Sequence, residues 1–277
     1  MKKIRIAQIG TSEYSHGHPV FRTLAQCTEV FEIVGYALPE NEREKFPRQA
    51  AAFDGYREMT VDEINAVIRS AMEYDEYRYQ LENGIRITED YRAEGLQKVL
   101  YQCPHCGTEF RMGTKGAEIF CDHCGKRWFL QENGQLKATE GETEFPHSPD
   151  WFEWERAQVR GQIERGEYCF EDELDVYSFP RCYRFIPLGK ARVRHDFENG
   201  FTIDGHYRGE DYHIHRPPKG MNSLHVEYDF HRFRKENCFD ISTETDSFYC
   251  YPRNPNIITK LAFATEEIYK LHLGDKA

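Results

Sequence analysis

Two short cysteine motifs constrain the fold of this chain more than any other feature. Cys103 and Cys106, and then Cys121 and Cys124, are each separated by two residues, and each pair is followed by glycine. Four thiolates at this spacing can close a tetrahedral shell around one Zn²⁺. The glycines let the chain fold back so that backbone N–H groups point at sulfur. The pattern predicts a structural zinc site that holds together a segment poor in apolar contacts.

The residues around these motifs predict a zinc ribbon over residues 101–147. A single Cys-x-x-Cys would also fit a redox dithiol, but two copies separated by a hairpin favour zinc. Since four cysteines complete the shell, His105 and His123 are expected to be exposed. The three predicted strands of the ribbon are Glu109–Met112, Glu118–Phe120 and Lys126–Leu130.

Composition limits the classes of partner and compartment. The chain has 277 residues, enough for about two domains, and a net charge of −11. This charge argues against nucleic acid as a partner, because phosphates need a basic surface. No apolar run is long enough for a secretory signal or a membrane span, so we expect a protein of the reducing cytoplasm. The cysteines expected to be free and buried are Cys27, Cys169, Cys182, Cys238 and Cys250.

Residues 1–58 predict the start of a dinucleotide-binding fold. A strand at Ile4–Ile9 leads into a polar turn, Pro19 opens a helix, and a second strand covers Phe31–Leu38. Strand, turn, helix and strand in this order open a Rossmann unit. The turn would present backbone N–H groups to a pyrophosphate at the N-terminus of the helix.

The candidate cofactor residues follow from this arrangement. Gly10, Thr11 and Ser12 form the turn, and Glu40 follows the second strand, where its carboxylate would bind the ribose hydroxyls of NAD(P). The fingerprint is degenerate, because Ser12 and Ser15 stand where the motif has glycine. A solvated loop acid is the alternative interpretation of Glu40.

The same stretch resembles the N-terminus of the glucose–fructose oxidoreductase/inositol dehydrogenase/rhizopine catabolism (Gfo/Idh/MocA) family. The resemblance rests on Lys3–Thr11, Glu32–Ala37 and Phe53–Tyr56 before Thr60, and it implies an NAD(P)-binding domain over residues 1–60. The family's Glu-Lys-Pro segment, which carries a catalytic lysine, and its large substrate sheet are not found in the sequence. An NAD(P)-dependent oxidoreductase is therefore an alternative for which the catalytic lysine segment and the substrate sheet are missing from the sequence.

Residues 59–100 predict a helical connector. Thr60 and Glu63 have the spacing of a capping box, in which each side chain accepts a hydrogen bond from the other residue's backbone. The apolar spacing that follows predicts one long helix through Leu81, which Asn83 and Gly84 end.

Residues 148–277 predict a β-rich domain flanked by helices, so the chain as a whole is expected to be α+β. Ser148 and Pro149 begin a helix, and a final helix follows Asn254 and Pro255. Between the helices we expect a small barrel or curled sheet, with a pleckstrin-homology-like arrangement as one solution. Its predicted strands are Leu174–Phe179, Tyr183–Ile186, Ala191–Phe197, Phe201–Tyr207, Asp211–His215, Leu224–Phe233, Cys238–Ser242 and Ser247–Tyr251.

From Ala66 onward the chain resembles the zinc-ribbon C-terminal extension of some bacterial lysophosphatidate (1-acyl-sn-glycerol-3-phosphate) acyltransferases. This implies a module normally appended to a catalytic domain, and that domain is not found in the sequence. His206 and Asp211 match the spacing of the acyltransferase His-x-x-x-x-Asp motif, but without its other residues, and we interpret the match as chance. The resemblance rests on Tyr74–Tyr77, Ile85–Ile87, Tyr91–Leu96, Val99–Cys106, Gly141–Phe145, Pro149–Trp151 and Ala264–Leu271.

These observations predict a composite chain. A zinc-stabilised, non-catalytic scaffold or interaction module of the acyltransferase-appended type would follow an incomplete dinucleotide-fold segment. Its target would be a protein partner or an anionic lipid surface, the latter through the basic segment Arg181–Arg194. The alternatives are an NAD(P)-dependent oxidoreductase and an acyltransferase-related protein of phospholipid synthesis.

Overall fold

The computed structural model describes residues 3–230, 235–243 and 246–274. The chain divides into two compact units, Met1–Asp75 and Glu76–Ala277, here called the N-terminal and C-terminal units. Helices and strands are mixed, the C-terminal unit is rich in strands, and the chain ends in a helix, as predicted. The division into four domains after residues 58, 100 and 147 stays a prediction.

The N-terminal unit begins with a strand–helix–strand element. Strands β1 (Ile4–Ile9) and β2 (Phe31–Ala37) pair in parallel, and helix α1 (Gly17–Gln26) supplies the crossover that parallel neighbours require. The order of elements agrees with the sequence prediction. Three further helices complete the unit: α2 (Glu42–Lys45), α3 (Pro47–Ala50) and α4 (Val61–Met72).

The predicted long helix is wrong, although its start is right. The Thr60 hydroxyl accepts a hydrogen bond from the Glu63 N–H at 3.1 Å, and Glu63 accepts one from the Thr60 N–H at 2.8 Å. The helix ends at Met72 because Glu73 leaves the helical conformation, with ψ at 73°. A second helix, α5 (Glu76–Glu82), begins beyond the break. Residues 73–75 do not continue the apolar face of α4, so no core packing favours a helix across them.

In the C-terminal unit, Cys121 ends a strand of a four-stranded antiparallel sheet, and the other three motif cysteines lie outside its strands. The prediction of three strands misses the last one, and it starts the first strand too early. Phe110 has a φ of 59°, which interrupts an extended chain, so the strand begins at Met112. The strands in order are β3 (Met112–Lys115), β4 (Glu118–Cys121), β5 (Arg127–Leu130) and β6 (Leu136–Ala138).

This sheet has an apolar core, contrary to the expectation of a segment poor in apolar contacts. Trp128 and Trp151 are both fully buried, with ring centroids 5.0 Å apart. Trp151 lies on helix α6 (Ser148–Glu164), so part of the core comes from outside the ribbon residues. The segment that carries the four cysteines is therefore not held together by them alone.

The rest of the C-terminal unit is a seven-stranded antiparallel sheet with a helix, α7 (Ile258–His272). The predicted strand Tyr183–Ile186 is not separate, because only Ile186 belongs to a strand. The seven strands form two runs of consecutive neighbours, one of four strands and one of three, and the first strand pairs with the last. The strands are β7 (Cys169–Ser178), β8 (Ile186–Asp196), β9 (Gly200–Tyr207), β10 (Glu210–Arg216), β11 (His225–Phe230), β12 (Glu236–Ser242) and β13 (Ser247–Tyr251).

The spatial order β10-β9-β8-β7-β13-β12-β11 makes this sheet curl. Consecutive strands β10 and β11 lie at opposite edges, yet only residues 217–224 join them. A fully extended link of this length reaches about 30 Å, roughly the width of a flat seven-stranded sheet. The link contains a 3-10 turn, Pro218–Gly220, which shortens it. The edges therefore approach each other, and Ile214 of β10 shares one core cluster with Phe239 of β12 and Leu261 of α7.

The cysteines outside the motifs fall into two groups. Cys238 and Cys250 are fully buried in the curled sheet, as expected. Cys27 and Cys169 are exposed, so the expectation of burial is wrong for these two. Cys27 directly follows the last residue of α1. Cys169 is the first residue of β7, where the strand is exposed to solvent. The side chain of Cys182 lies outside the described part of the chain.

Candidate metal centre

The four motif cysteines sit in two turns with the same backbone pattern. In the first, the Cys103 N–H donates to the Thr108 carbonyl at 2.9 Å and the Gly107 N–H donates to the Cys103 carbonyl at 2.8 Å. Cys121 repeats both bonds at 2.9 Å, one with Lys126 and one with Gly125. The two glycines have φ values of 73° and 78°, which side chains resist, so glycine is required there.

The turns bring the four sulfurs together. All four Sγ atoms lie within 4.8 Å of one another. Cys103 and Cys124 are 3.8 Å apart, as are Cys106 and Cys121. Sulfurs at the corners of a tetrahedron with metal–sulfur bonds of about 2.3 Å lie about 3.8 Å apart. The cluster can therefore hold one metal ion with little rearrangement, and the sequence-predicted ligands are the residues that the structure brings together.

Hydrogen bonds prepare the sulfurs for negative charge. Backbone N–H groups of Cys106 and His105 point at Cys103, although burial still raises its pKa. Burial also pushes the pKa of Cys106 upward, but hydrogen bonds from the side chain and backbone of Thr108, together with neighbouring sulfurs, bring it down to about 6. Thiolates are the ligand form, so the lowered pKa of Cys106 favours metal binding at neutral pH, whereas burial raises the pKa of Cys103 and Cys124.

The four ligands differ in access to solvent. Cys103 and Cys121, which open the two motifs, are 0% and 1% exposed. Cys106 and Cys124, which close them, are exposed. His105 and His123 are exposed, as predicted. The cluster thus has an inner pair of sulfurs against the core and an outer pair toward solvent.

Glu144 braces the two turns from a distant loop, and sequence reasoning missed it. Its carboxylate accepts a hydrogen bond from the buried Trp128 indole at 2.9 Å and lies 3.1 Å from the ring of His105. Lys126 donates to the backbone carbonyls of Glu140 and Glu142, at 2.9 and 2.8 Å, and so holds the same loop. The separation of Glu144 from both motifs along the chain leaves no local signal for this role.

The buried carboxyl group of Glu155 supports the turn that contains Cys103 and Cys106. Glu155 of α6 accepts a hydrogen bond from the Gln102 N–H at 2.7 Å, and the Trp151 indole donates to the Gln102 carbonyl at 2.9 Å. Glu155 is 0% exposed, and this burial raises its pKa to about 9. The carboxyl is therefore protonated at neutral pH. Gln102 immediately precedes Cys103, so α6 positions the first ligand.

The predicted cofactor residues of the N-terminal unit are only partly brought together. Gly10, Thr11 and Ser12 lie in one turn after β1, but Glu40 is exposed in a separate turn with a φ of 55°. The Thr11 N–H donates at 2.7 Å to the carboxylate of Glu42, the first residue of α2. The Glu42 carboxylate therefore accepts the hydrogen bond of an N–H that the sequence prediction assigns to a pyrophosphate.

The His206–Asp211 match has a plain geometric origin. The two residues are directly opposite in the β9–β10 hairpin, and the Nδ1 of His206 lies 2.8 Å from the Asp211 carboxylate. Their side chains are 62% and 92% exposed. Hairpin register alone accounts for the contact, and the prediction that the match is chance stays a prediction.

No model of a known protein family matches the chain, and no curated protein does either. Among the residues that the structure describes, no helix combines the length and the apolar character that crossing a membrane requires.

Proposed function

We propose that this chain is a non-catalytic interaction module whose centre is a zinc ribbon held by one structural Zn²⁺. The observation that carries the proposal is the convergence of four cysteine sulfurs at tetrahedral spacing. Protein sulfur fills each corner of that tetrahedron, which leaves no position for water or substrate. This is the arrangement of structural zinc, whereas catalytic zinc keeps one position open.

Metal analysis of the purified chain tests the proposal. We expect about one zinc per chain, slow release to a chelator, and recovery of the original fold on adding Zn²⁺ but not Mg²⁺. Hydrogen exchange of residues 101–147 reports the fold of the ribbon directly. A metal-free chain that protects these amides equally well would contradict the proposal.

The composite origin is part of the same proposal. The parallel pairing of β1 and β2 across α1 supports a Rossmann-type start, and the cysteine cluster supports the resemblance to acyltransferase-appended extensions. The NAD(P)-dependent alternative requires the Glu42 carboxylate to leave the Thr11 N–H. Titration with NADH and NADPH tests this alternative, because a titration without a binding signal would exclude it.

The acyltransferase-related alternative requires chemistry at His206. We expect no acyl transfer to a lysolipid hydroxyl by the purified chain, and no difference between it and a His206→Ala variant. Turnover that disappears in His206→Ala would establish this alternative and refute the non-catalytic proposal.

A second candidate function is docking to an anionic lipid surface through residues 179–185, here called the aromatic–basic loop. Of the predicted basic segment, Lys190 and Arg194 are paired with Glu173 and Glu171 at 2.7 and 2.6 Å. Arg181 and Arg184 are exposed, and within the described ranges no carboxylate lies at ion-pair distance from either. Of the segment's cations that form no ion pair with described residues, two therefore lie in the loop, and the third, Arg192, is exposed on β8.

Aromatic side chains accompany these two arginines. Phe179 and Phe185 stack with centroids 4.0 Å apart, and Phe185 also meets Tyr249 at 5.0 Å. Tyr183 is 86% exposed. Amphipathic rings and arginines together are suited to the headgroup region of a bilayer.

Vesicle flotation tests this second candidate. We expect binding to vesicles of phosphatidylcholine with phosphatidylserine, and none to phosphatidylcholine alone. Changing Arg181 and Arg184 to serine together should weaken binding by about 2 kcal/mol, about 1 for each charge. The matched control changes Arg111 and Lys115, two exposed cations of the ribbon, to serine. Equal loss in both variants would exclude a specific loop and leave a protein partner as the target.

A further inference from the structure

A cavity lies at the seam of the curled sheet, where the edge strands β10 and β11 approach each other without pairing. Its volume is about 290 Å³, and its lining comes from the end of β10, the start of β11, the segment that joins them and the neighbouring strand β12. The lining residues that carry the argument are Arg216, Asn222, Ser223, His225, Asp240 and Ser242. The cavity lies apart from the cysteine cluster and from the aromatic–basic loop in sequence, and no residue is shared with either.

A buried carboxylate fixes the imidazole in this cavity. The Nδ1 of His225 hydrogen-bonds to the Oδ2 of Asp240, whose side chain is 10% exposed. Ser242 donates to the other oxygen, Oδ1, at 3.4 Å. Both oxygens of the Asp240 carboxylate thus accept hydrogen bonds from residues that line the cavity, and the Nδ1 of His225 carries the proton of its bond. The Nε2 edge of His225 remains as the face that a ligand can approach.

The charge of His225 is favoured by its surroundings. The hydrogen bond that His225 donates to Asp240 raises the pKa of His225 above its ordinary value, although partial burial opposes this. The other charged group near the ring is Glu227 on the same strand, with Oε1 3.9 Å from Nε2. Arg216 is the facing charge from the opposite edge. Asp240 and Glu227 therefore offset the positive charges of His225 and Arg216, so the cavity offers hydrogen-bond donors to an oxyanion without a net positive charge.

Arg216 is one of several arginines of the curled sheet that form no ion pair with the residues that the structure describes. It is half-buried at the end of β10, and in residues 3–230, 235–243 and 246–274 no carboxylate stands within ion-pair distance of it. Arg194 and Arg253, by comparison, each pair with an aspartate. A planar guanidinium with free donors at a polar cavity is the usual means of recognising phosphate or carboxylate.

We propose that this cavity binds a small oxyanion of the phosphate-monoester class between Arg216 and His225. The guanidinium supplies a two-pronged donor and the Nε2 of His225 supplies a second donor from the opposite edge. Ser223 and Asn222 also line the cavity. The ligand would bridge the two unpaired edges, so its binding would also brace the seam.

The test follows the His225 ring by NMR while inorganic phosphate is added at constant ionic strength. We expect a saturable shift of its ring resonances that chloride does not reproduce. Arg216→Gln should weaken the apparent affinity about tenfold or more, because hydrogen bonds between charged groups are lost. The matched control is Arg208→Gln, an exposed arginine on the β9–β10 turn that is not part of the cavity. The control should bind as the unchanged chain does.

A second variant keeps the test decisive if Arg216→Gln fails to fold. Arg216→Lys keeps the charge but loses the planar fork, so we expect intermediate affinity. A shift that does not saturate, or one that is equal in the unchanged chain and in the Arg216 variants, would overturn the proposal.

The source of the phosphate needs a separate arm of the experiment. Vesicles of phosphatidylcholine with phosphatidic acid present the same monoester on a lipid. Flotation that depends on Arg216 but not on Arg181 and Arg184 assigns the cavity to a lipid headgroup. Saturation by inorganic phosphate without such flotation assigns it to a free ligand. Neither result depends on zinc, so this inference and the metal proposal fail independently.

Discussion

The two units contrast in how fully their sheets are closed. The N-terminal unit has two parallel strands, and in the described part of the chain β1 pairs only with β2. Ile4 and Val20 are 57% and 51% exposed, and the buried residues form two small clusters around Phe53 and Ile64. The C-terminal unit has a four-stranded sheet, a curled seven-stranded sheet and three larger core clusters.

The contrast shows that correct local structure does not ensure a stable unit. Both units have elements that sequence patterns recognise, but only the C-terminal unit surrounds its apolar faces with further elements. Stability increases with the apolar area that is buried, about 25 cal/mol for each Å², and not with the number of elements. We therefore expect the N-terminal unit to be the weaker one.

Removing the metal ligand set should have the largest effect. Structural zinc supplies on the order of 10 kcal/mol to small zinc-binding domains, and the Trp128–Trp151 core offsets part of its loss here. We expect Cys121→Ser to lower the unfolding midpoint of the C-terminal unit strongly. Cys169→Ser, which changes an exposed cysteine outside the cluster, is the control and should have little effect. Equal midpoints for the two variants would refute a bound structural metal.

Truncating one buried ring in each unit sharpens the comparison. Phe53→Ala and Phe239→Ala both delete fully buried side chains, and each should cost about 3–5 kcal/mol. In the N-terminal unit this loss should exceed the whole stability, so amide protection there disappears. In the C-terminal unit protection should fall but remain. Retained protection in Phe53→Ala would show that the smaller core suffices.

The pH dependence of the C-terminal unit should follow Glu155. Burial raises the pKa of Glu155 to about 9 when folded, so the folded state holds a proton that the unfolded state releases. Its contribution is complete below the ordinary glutamate pKa and is lost as the pH rises toward 9. The loss amounts to about 3 kcal/mol at pH 7.

Glu155→Gln should abolish this slope in urea unfolding measured across the neutral range. The amide oxygen can still accept the Gln102 N–H, so the structure is expected to survive. Glu164→Gln, at a partly exposed position of the same helix, is the control and should keep the slope. A slope that persists in Glu155→Gln would mean that this carboxyl ionises freely.

Replacing Glu42 should have the smallest effect. Glu42→Gln weakens the bond that the Thr11 N–H makes, and we expect the N-terminal unit to lose about 1 kcal/mol. The same change removes a negative charge from the turn after β1, so we expect weak binding of pyrophosphate there to increase. Glu44→Gln, which is exposed on the same helix, is the control. Unchanged pyrophosphate binding would show that the turn does not select anions.

Local patterns predicted those parts that depend on neighbouring residues. The four cysteines, the Thr60–Glu63 cap and the strand–helix–strand order are all short-range features, and the structure has them. The helix break after Met72 was missed because the capping and apolar signals before it are strong, while the break depends on where packing ends.

Features made by distant residues could not be predicted in the same way. Glu144 reaches the cysteine turns, Glu42 reaches the β1 turn, and Asp240 holds His225, each across a long stretch of chain or between strands. None of these carboxylates has a spacing that marks it. Trp151 illustrates the same limit, because it completes a core that the ribbon residues alone do not suggest.

The unequal access of the four sulfurs has a kinetic consequence. A chelator, an oxidant or a heavier metal can reach Cys106 and Cys124, whereas Cys103 and Cys121 face the interior. With the proposed zinc bound, ligand exchange would start at the outer pair, and the inner pair would keep the ion until the turns separate. The rate of metal loss would be set by attack from one side, while the affinity is set by all four.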